Sequence, residues 1–142
     1  MRNQTVKSPL LGKEGIKRWL VFPGEQTMHD IMLKRAYEQP SDKDGTRILV
    51  DGMWPRGVSK QQAQIDLWLK ELAPSKELRK WFGHDPDKWS EFQTRYFQEL
   101  KARPEAVSTL IDQVKKGPVT LIYAAKDTEH NNAVALKKYL QS

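Results

Sequence analysis

Residues 47–57 read Arg47-Ile48-Leu49-Val50-Asp51-Gly52-Met53-Trp54-Pro55-Arg56-Gly57, a short apolar run that ends on a carboxylate and is stopped at once by glycine and proline. Such a pattern is a buried strand emptying into a loop. A second run, Val119-Thr120-Leu121-Ile122-Tyr123, follows Gly117-Pro118 and leads into Ala124-Ala125-Lys126-Asp127-Thr128-Glu129-His130-Asn131. Two buried strands separated by helices, each followed by a loop and a helix, define a parallel α/β unit. Ligands in such sheets bind at the carboxyl ends of the strands, which sets the loops at 51–57 and 124–131 side by side.

Between these strands the chain reads as helical. Ser59 and Gln62 form a capping box, and Ile65, Trp68, Leu69 and Leu72 keep helical spacing as far as Pro74. Ser75 caps a short segment carrying Leu78, Trp81 and Phe82, stopped by Gly83. Asp85-Pro86 opens a helix with the stripe Trp89, Phe92, Tyr96 and Leu100. Pro104 opens another, carrying Val107, Leu110, Ile111 and Val114, and Ala133 to Leu140 complete the chain as an amphipathic helix. Upstream, Ile31, Leu33 and Tyr37 alternate with more polar neighbours and predict a strand over 31–37. The polar turn 38–45 after it is too short for a helical crossover, which leaves the direction of that strand open. The expectation is a single α/β domain over 28–142, a small, mainly parallel sheet flanked by several helices.

The chain has 142 residues, no cysteine and a formal charge of +6. Thiolate catalysis and thiolate metal sites are therefore excluded. No apolar run approaches a bilayer span, so no membrane partner is expected. Half of that net charge lies in residues 1–27, where Arg2, Lys7, Lys13, Lys17 and Arg18 are set against only Glu14 and Glu25. Pro9, Gly12, Gly15, Pro23 and Gly24 punctuate that segment too densely for regular structure, so it reads as a loosely ordered basic extension. His29, His84 and His130 are scattered without ligand spacing, no phosphate-binding glycine fingerprint is present, and neither metal nor cofactor is expected.

The chemistry then falls to the two strand-end loops. Asp51 is the candidate general base or nucleophile and His130 the candidate proton carrier. Arg47, Arg56 and Lys126 are candidates to neutralise a small anionic substrate, nucleotide or phosphate-bearing, with Trp54 walling the site and Asn131 orienting the substrate. Asp127 or Thr128 is the expected cap of the last helix. The competing structural reading has Asp51 and Arg56 bridging their own loop and Trp54 plugging the core. A further alternative is a non-catalytic nucleic-acid or protein-binding module, using the basic extension, Lys115-Lys116 and Lys137-Lys138. The near balance of charge over 28–142 ranks it second.

Four segments carry a family resemblance: Arg47 to Asp51, Trp54-Pro55-Arg56-Gly57, Ala73-Pro74-Ser75 with Leu78-Arg79-Lys80-Trp81-Phe82, and Leu121 to Asp127 with His130-Asn131. In this order they resemble the YeaO-like proteins, family 488 among the domains of unknown function, from about Ile31 to Leu140. The resemblance implies a small cytoplasmic bacterial or archaeal α/β protein and fixes no reaction. The family pattern usually has arginine and an aliphatic residue where this chain has Gly52 and Met53.

Overall fold

Val119 to Tyr123 (β4) is buried at every position because it lies between two other strands. The computed structural model describes residues 28–142; the expected basic extension, residues 1–27, lies outside the described residues. Among these, four strands form one sheet in the order β1, β4, β2, β3, where β1 is Ile31–Arg35, β2 is Thr46–Leu49 and β3 is Leu67–Trp68. All three pairings are parallel, with Ile31 and Thr46 both in register with Val119, and Ile48 with Leu67. The helices are α1 (Lys60–Ala63), α2 (Lys76–Phe82), α3 (Trp89–Lys101), α4 (Pro104–Lys116) and α5 (Asn132–Gln141). The fold is thus α/β with a parallel sheet, and strands 2 and 4 are parallel neighbours as their apolar runs indicate.

Side-chain alternation divides the interior in two. Ile48, Val50, Leu121 and Tyr123 join the large core shared with Phe92, Tyr96, Leu110 and Leu136 of the helices. Leu49 and Ile122 point the other way, into a smaller cluster with Ala36, covered by Trp54, Ile65 and Trp68.

Two expectations are corrected. The helical spacing from Ser59 to Pro74 stops after one turn: Gln64 takes a left-handed conformation with φ 48°, and Leu67–Trp68 pairs with β2 instead. The cause is Arg47, whose guanidinium donates to the Ala63 carbonyl at 2.7 and 3.0 Å and to the Gln64 carbonyl at 3.2 Å. Those carbonyls would otherwise accept from the next helical turn. Ile65 and Trp68 consequently cover the smaller cluster while Leu69 and Leu72 enter the large core, a division that one helical stripe cannot make.

The strand expected over 31–37 ends at Arg35 and is parallel to β4, which separates it from β2. Its link to β2 therefore crosses the sheet without a helix, using a single 3-10 turn at Asp42–Asp44. Beneath this link Asp44 is held by Lys34 at 2.9 Å and Arg47 at 2.5 Å, and its carbonyl accepts from the Thr120 hydroxyl at 2.6 Å.

Candidate functional site

Because β2 and β4 are neighbours, their exit loops meet, and hydrogen bonds from Asp51 tie them together. Asp51 Oδ2 accepts from the Ala124 N–H at 2.9 Å and Oδ1 from the Asn132 side-chain amide at 3.0 Å. The same Asn132 amide donates to the Val50 carbonyl at 3.1 Å, and Trp68 Nε1 donates to the Asp51 carbonyl at 2.8 Å. Burial pushes the Asp51 carboxyl above its ordinary value, against the opposing effects of Asn132, Ala124 and the Arg79 guanidinium. The second loop is closed in the same manner: Arg35 donates to the Ala125 and Ala124 carbonyls at 2.8 and 3.2 Å.

His130 is turned to a different partner. Its Nδ1 lies 2.9 Å from Asp127 Oδ2, its backbone N–H donates to Asp127 Oδ1 at 3.0 Å, and its ring packs edge-on against Trp89. Asp127 also accepts from the Glu129 N–H, and that bond, with His130, holds its carboxyl below the ordinary range. Asp127 thus caps the turn, while the cap of α5 is Asn131, 2% exposed, which accepts from the Val134 N–H and donates to the Asp127 carbonyl. Trp54 donates to the Val58 carbonyl at 2.6 Å and meets Trp68 edge-on. Arg56 and Lys126 are exposed, and no hydrogen bond or ion pair joins Asp51 to Arg56, Lys126 or His130 among the described residues. Arg47 lies toward the opposite, amino-terminal end of β2, 3% exposed, with its guanidinium spent on Asp44, Ala63 and Gln64. Among the described residues no three His, Asp or Glu side chains gather as metal ligands, and no helix is long and apolar enough to cross a membrane.

The concave surface at this end of the sheet lies on the other side of the β2 exit. It is a depression of about 570 Å³ between Gly52, the β3 exit from Lys70 to Ser75, Arg79 of α2, and the α3–α4 junction at Arg103. A Cβ on Gly52 would meet Ala73 Cβ at 3.5 Å and Arg79 Nη2 at 4.0 Å, so the glycine keeps this floor bare beside the guanidinium. Arg103 Nη1 donates to the Glu71 and Ala73 carbonyls at 2.8 and 2.6 Å, and Lys70 Nζ sits 4.2 Å from the Trp68 ring centre. Glu99 accepts from the Ser75 N–H at 2.7 Å and from the Ser75 hydroxyl at 2.6 Å. Arg79, Lys70 and Arg103, which line this depression, are not among the residues the sequence points to; Gly52 reads there as a strand stop and as a departure from the family pattern.

The fold and this sheet-end geometry define a small parallel α/β protein with its exit loops tied together, and comparison with known proteins gives its family. The family DUF488-N3i, described as the inactive DUF488-N3 subclade, matches residues 30–142. The chain is 42% identical over 113 residues to the "Uncharacterized protein YeaO" of Escherichia coli strain K12, covering 80% of this chain and 98% of that one. It is 36% identical over 110 residues to the "Uncharacterized protein Rv3073c" of Mycobacterium tuberculosis strain H37Rv, covering 78% and 92%. No solved structure matches significantly. The chain belongs to the YeaO-like DUF488 family.

Proposed function

We propose that the protein is a cytoplasmic binder of a small anionic ligand, nucleotide or phosphate-bearing, which it holds at the carboxyl end of its sheet without transforming it. The observation that carries this reading is the contrast between the acids and the cations there. Both oxygens of Asp51 are engaged by Ala124 and Asn132, and His130, whose Nδ1 is held by Asp127, makes no bond to Asp51, so the two candidate catalysts are not joined into one acid–base pair. The side chains of Arg56, Lys126 and Arg79, by contrast, make no hydrogen bond or ion pair among the described residues and lie in or beside the strand-exit loops. A surplus of uncommitted cations around the ends of parallel strands suits an anion. The description of the matched family as inactive agrees with binding in the absence of chemistry.

Thermal-shift and calorimetric titration of nucleotides and sugar phosphates, with each hit followed by phosphorus NMR for turnover, tests both parts. The expected outcome is a saturable stabilisation by at least one phosphate-bearing compound and an unchanged ligand spectrum after prolonged incubation. Indifference to every anion defeats the binding reading, and product formation defeats the non-catalytic one.

A further inference from the structure

Resting on that reading, we infer that the phosphate group of the ligand is taken in the depression beside Gly52, by Arg79 with Lys70 and Arg103, rather than between Arg56 and Lys126. The loops that carry Arg56 and Lys126 are drawn together by the Asp51 bonds to Ala124 and Asn132, and neither cation lines the depression beside Gly52. The open volume lies where the exits of β2 and β3 diverge, and about 570 Å³ falls within the range that holds a mononucleotide-sized molecule.

The cations around it are already oriented. Arg103 is fixed by two carbonyls of the β3 exit, and Lys70 by the face of Trp68. Arg79 is attracted by the buried Asp51 carboxylate yet bonded to nothing, so its fork of donors stays available beside the bare floor of Gly52. A guanidinium in that state matches a phosphate monoester, whose oxygens accept paired N–H donors. The acid nearest to competing with a ligand, Glu99, is occupied through both oxygens by Ser75 and faces Arg103 at 3.8 Å. Glu71 and Glu105 lie exposed on the rim, so the cations along the lining, Lys70, Arg79 and Arg103, outnumber its acids by one. Ala73, Pro74, Ala102 and Ala106 supply a low apolar surface for the body of the ligand.

Calorimetric titration of the full chain with adenosine monophosphate, adenosine, inorganic phosphate and succinate tests the assignment, on the wild type and on Arg79→Gln, Gly52→Leu, Arg56→Gln and Lys126→Gln, with circular dichroism confirming each fold. Adenosine monophosphate is expected to bind more tightly than adenosine or succinate. Arg79→Gln should weaken it on the order of tenfold or more, as expected for loss of a charged hydrogen bond, and Gly52→Leu should weaken it by filling the floor. Arg56→Gln and Lys126→Gln remove only long-range attraction and should each weaken it by about two- to threefold, well short of the effect of Arg79→Gln. Binding that is lost in Arg56→Gln or Lys126→Gln but retained in Arg79→Gln overturns this site while leaving the anion-binding reading intact. Equal affinity for adenosine or succinate overturns the phosphate assignment. A wild type that binds none of the four probes or any other phosphate compound removes the reading on which the site rests.

Discussion

Asp51 Oδ2 accepts the backbone N–H of Ala124 at 2.9 Å, so the carboxylate at the end of β2 is the clasp that joins it to the exit of β4. With Asn132 on its other oxygen, the same side chain also fixes the start of α5. A carboxylate in this position can be mistaken for a catalyst, because a strand-end acid serves both purposes in parallel sheets.

Replacing Asp51 separates the two roles. Asp51→Ala orphans the Ala124 N–H and one bond of the Asn132 amide in a largely buried place, which should cost about 2–3 kcal/mol. Asp51→Asn keeps one acceptor and removes a charge that burial disfavours, so it should cost less than the alanine variant. Urea denaturation of both variants measures the difference; an alanine variant as stable as wild type would remove Asp51 from the structural account.

Two buried acids give opposite dependences on pH. Burial raises the Asp51 carboxyl above its ordinary value, so the folded chain holds that proton more tightly than the unfolded one, and the contribution of Asp51 to stability falls as pH rises from about 4 through the raised value. For Asp44, burial also acts upward, but the bonds from Lys34, the Ser41 N–H and Arg47 outweigh it and the net direction is down. Its contribution is present above the unfolded value near 4 and is lost as pH falls through the lowered one. Subtracting the stability profile of Asp51→Asn from that of wild type should give a curve falling with pH above about 4, and subtracting that of Asp44→Asn one rising with pH up to about 4. Curves of the same sign would contradict the geometry.

Much of this arrangement was legible in the sequence, and what was not has identifiable causes. The runs 47–50 and 119–123 read as buried strands because apolar residues bounded by turn residues have few other uses, and α3, α4 and α5 announced themselves by continuous stripes. Strand β3 was hidden because Ile65, Trp68, Leu69 and Leu72 fit helical spacing. Only the guanidinium of Arg47, delivered from a different strand, takes the carbonyls that the helix would need. The adjacency of the two exit loops followed from the strand pattern. The saturation of Asp51 depends on Asn132 coming into reach from the far end of the chain, which no spacing reveals. Arg79 enters the sequence reading only within the family-resembling segment 78–82; its position beside Gly52 is a tertiary fact.

The same Arg47 offers a test of that local override. Arg47→Met removes the donors for Ala63 and Gln64 and leaves Asp44 with Lys34 as its remaining ion-pair partner. Breaking such a buried pair should cost about 3–5 kcal/mol, and hydrogen exchange should show segment 63–69 losing protection before the rest of the sheet. Uniform loss of protection would mean that β3 does not depend on this arginine.

Gly45 meets a steric limit of a different origin. It sits at φ 66°, and a Cβ there would fall 2.2 Å from the Pro118 carbonyl oxygen, the atom that accepts the Thr46 N–H at 3.1 Å. Neither backbone can withdraw without parting β2 from β4 at their amino ends. Gly45→Ala should therefore cost on the order of 3 kcal/mol or more, against a clearly smaller cost for Gly57→Asn, where nothing lies within 4 Å and asparagine tolerates the positive φ better than other side chains. Thermal denaturation of the pair provides the comparison, and similar melting temperatures would show that the strands can part without cost.

Tyr96 connects the core to the proposed site. It is fully buried in α3, and its hydroxyl donates to the Leu72 carbonyl on the β3 exit, the segment that forms one wall of the depression. Burial drives its hydroxyl far above the usual tyrosine range, so the group stays a donor throughout the working pH range. Tyr96→Phe keeps the ring packing against Phe92 and deletes only this bond, leaving the Leu72 carbonyl unsatisfied. The expected loss is about 1–2 kcal/mol of stability. Because Arg103 grips the neighbouring Glu71 and Ala73 carbonyls, the wall should stay attached to the α3–α4 junction, and affinity for a phosphate probe should fall less than in Arg79→Gln. Denaturant titration reads the first quantity and calorimetry the second. A Tyr96→Phe variant with unchanged stability would show that the hydroxyl does not anchor this wall, and one that binds the probe more weakly than Arg79→Gln would mean that wall position, rather than the guanidinium, governs the site.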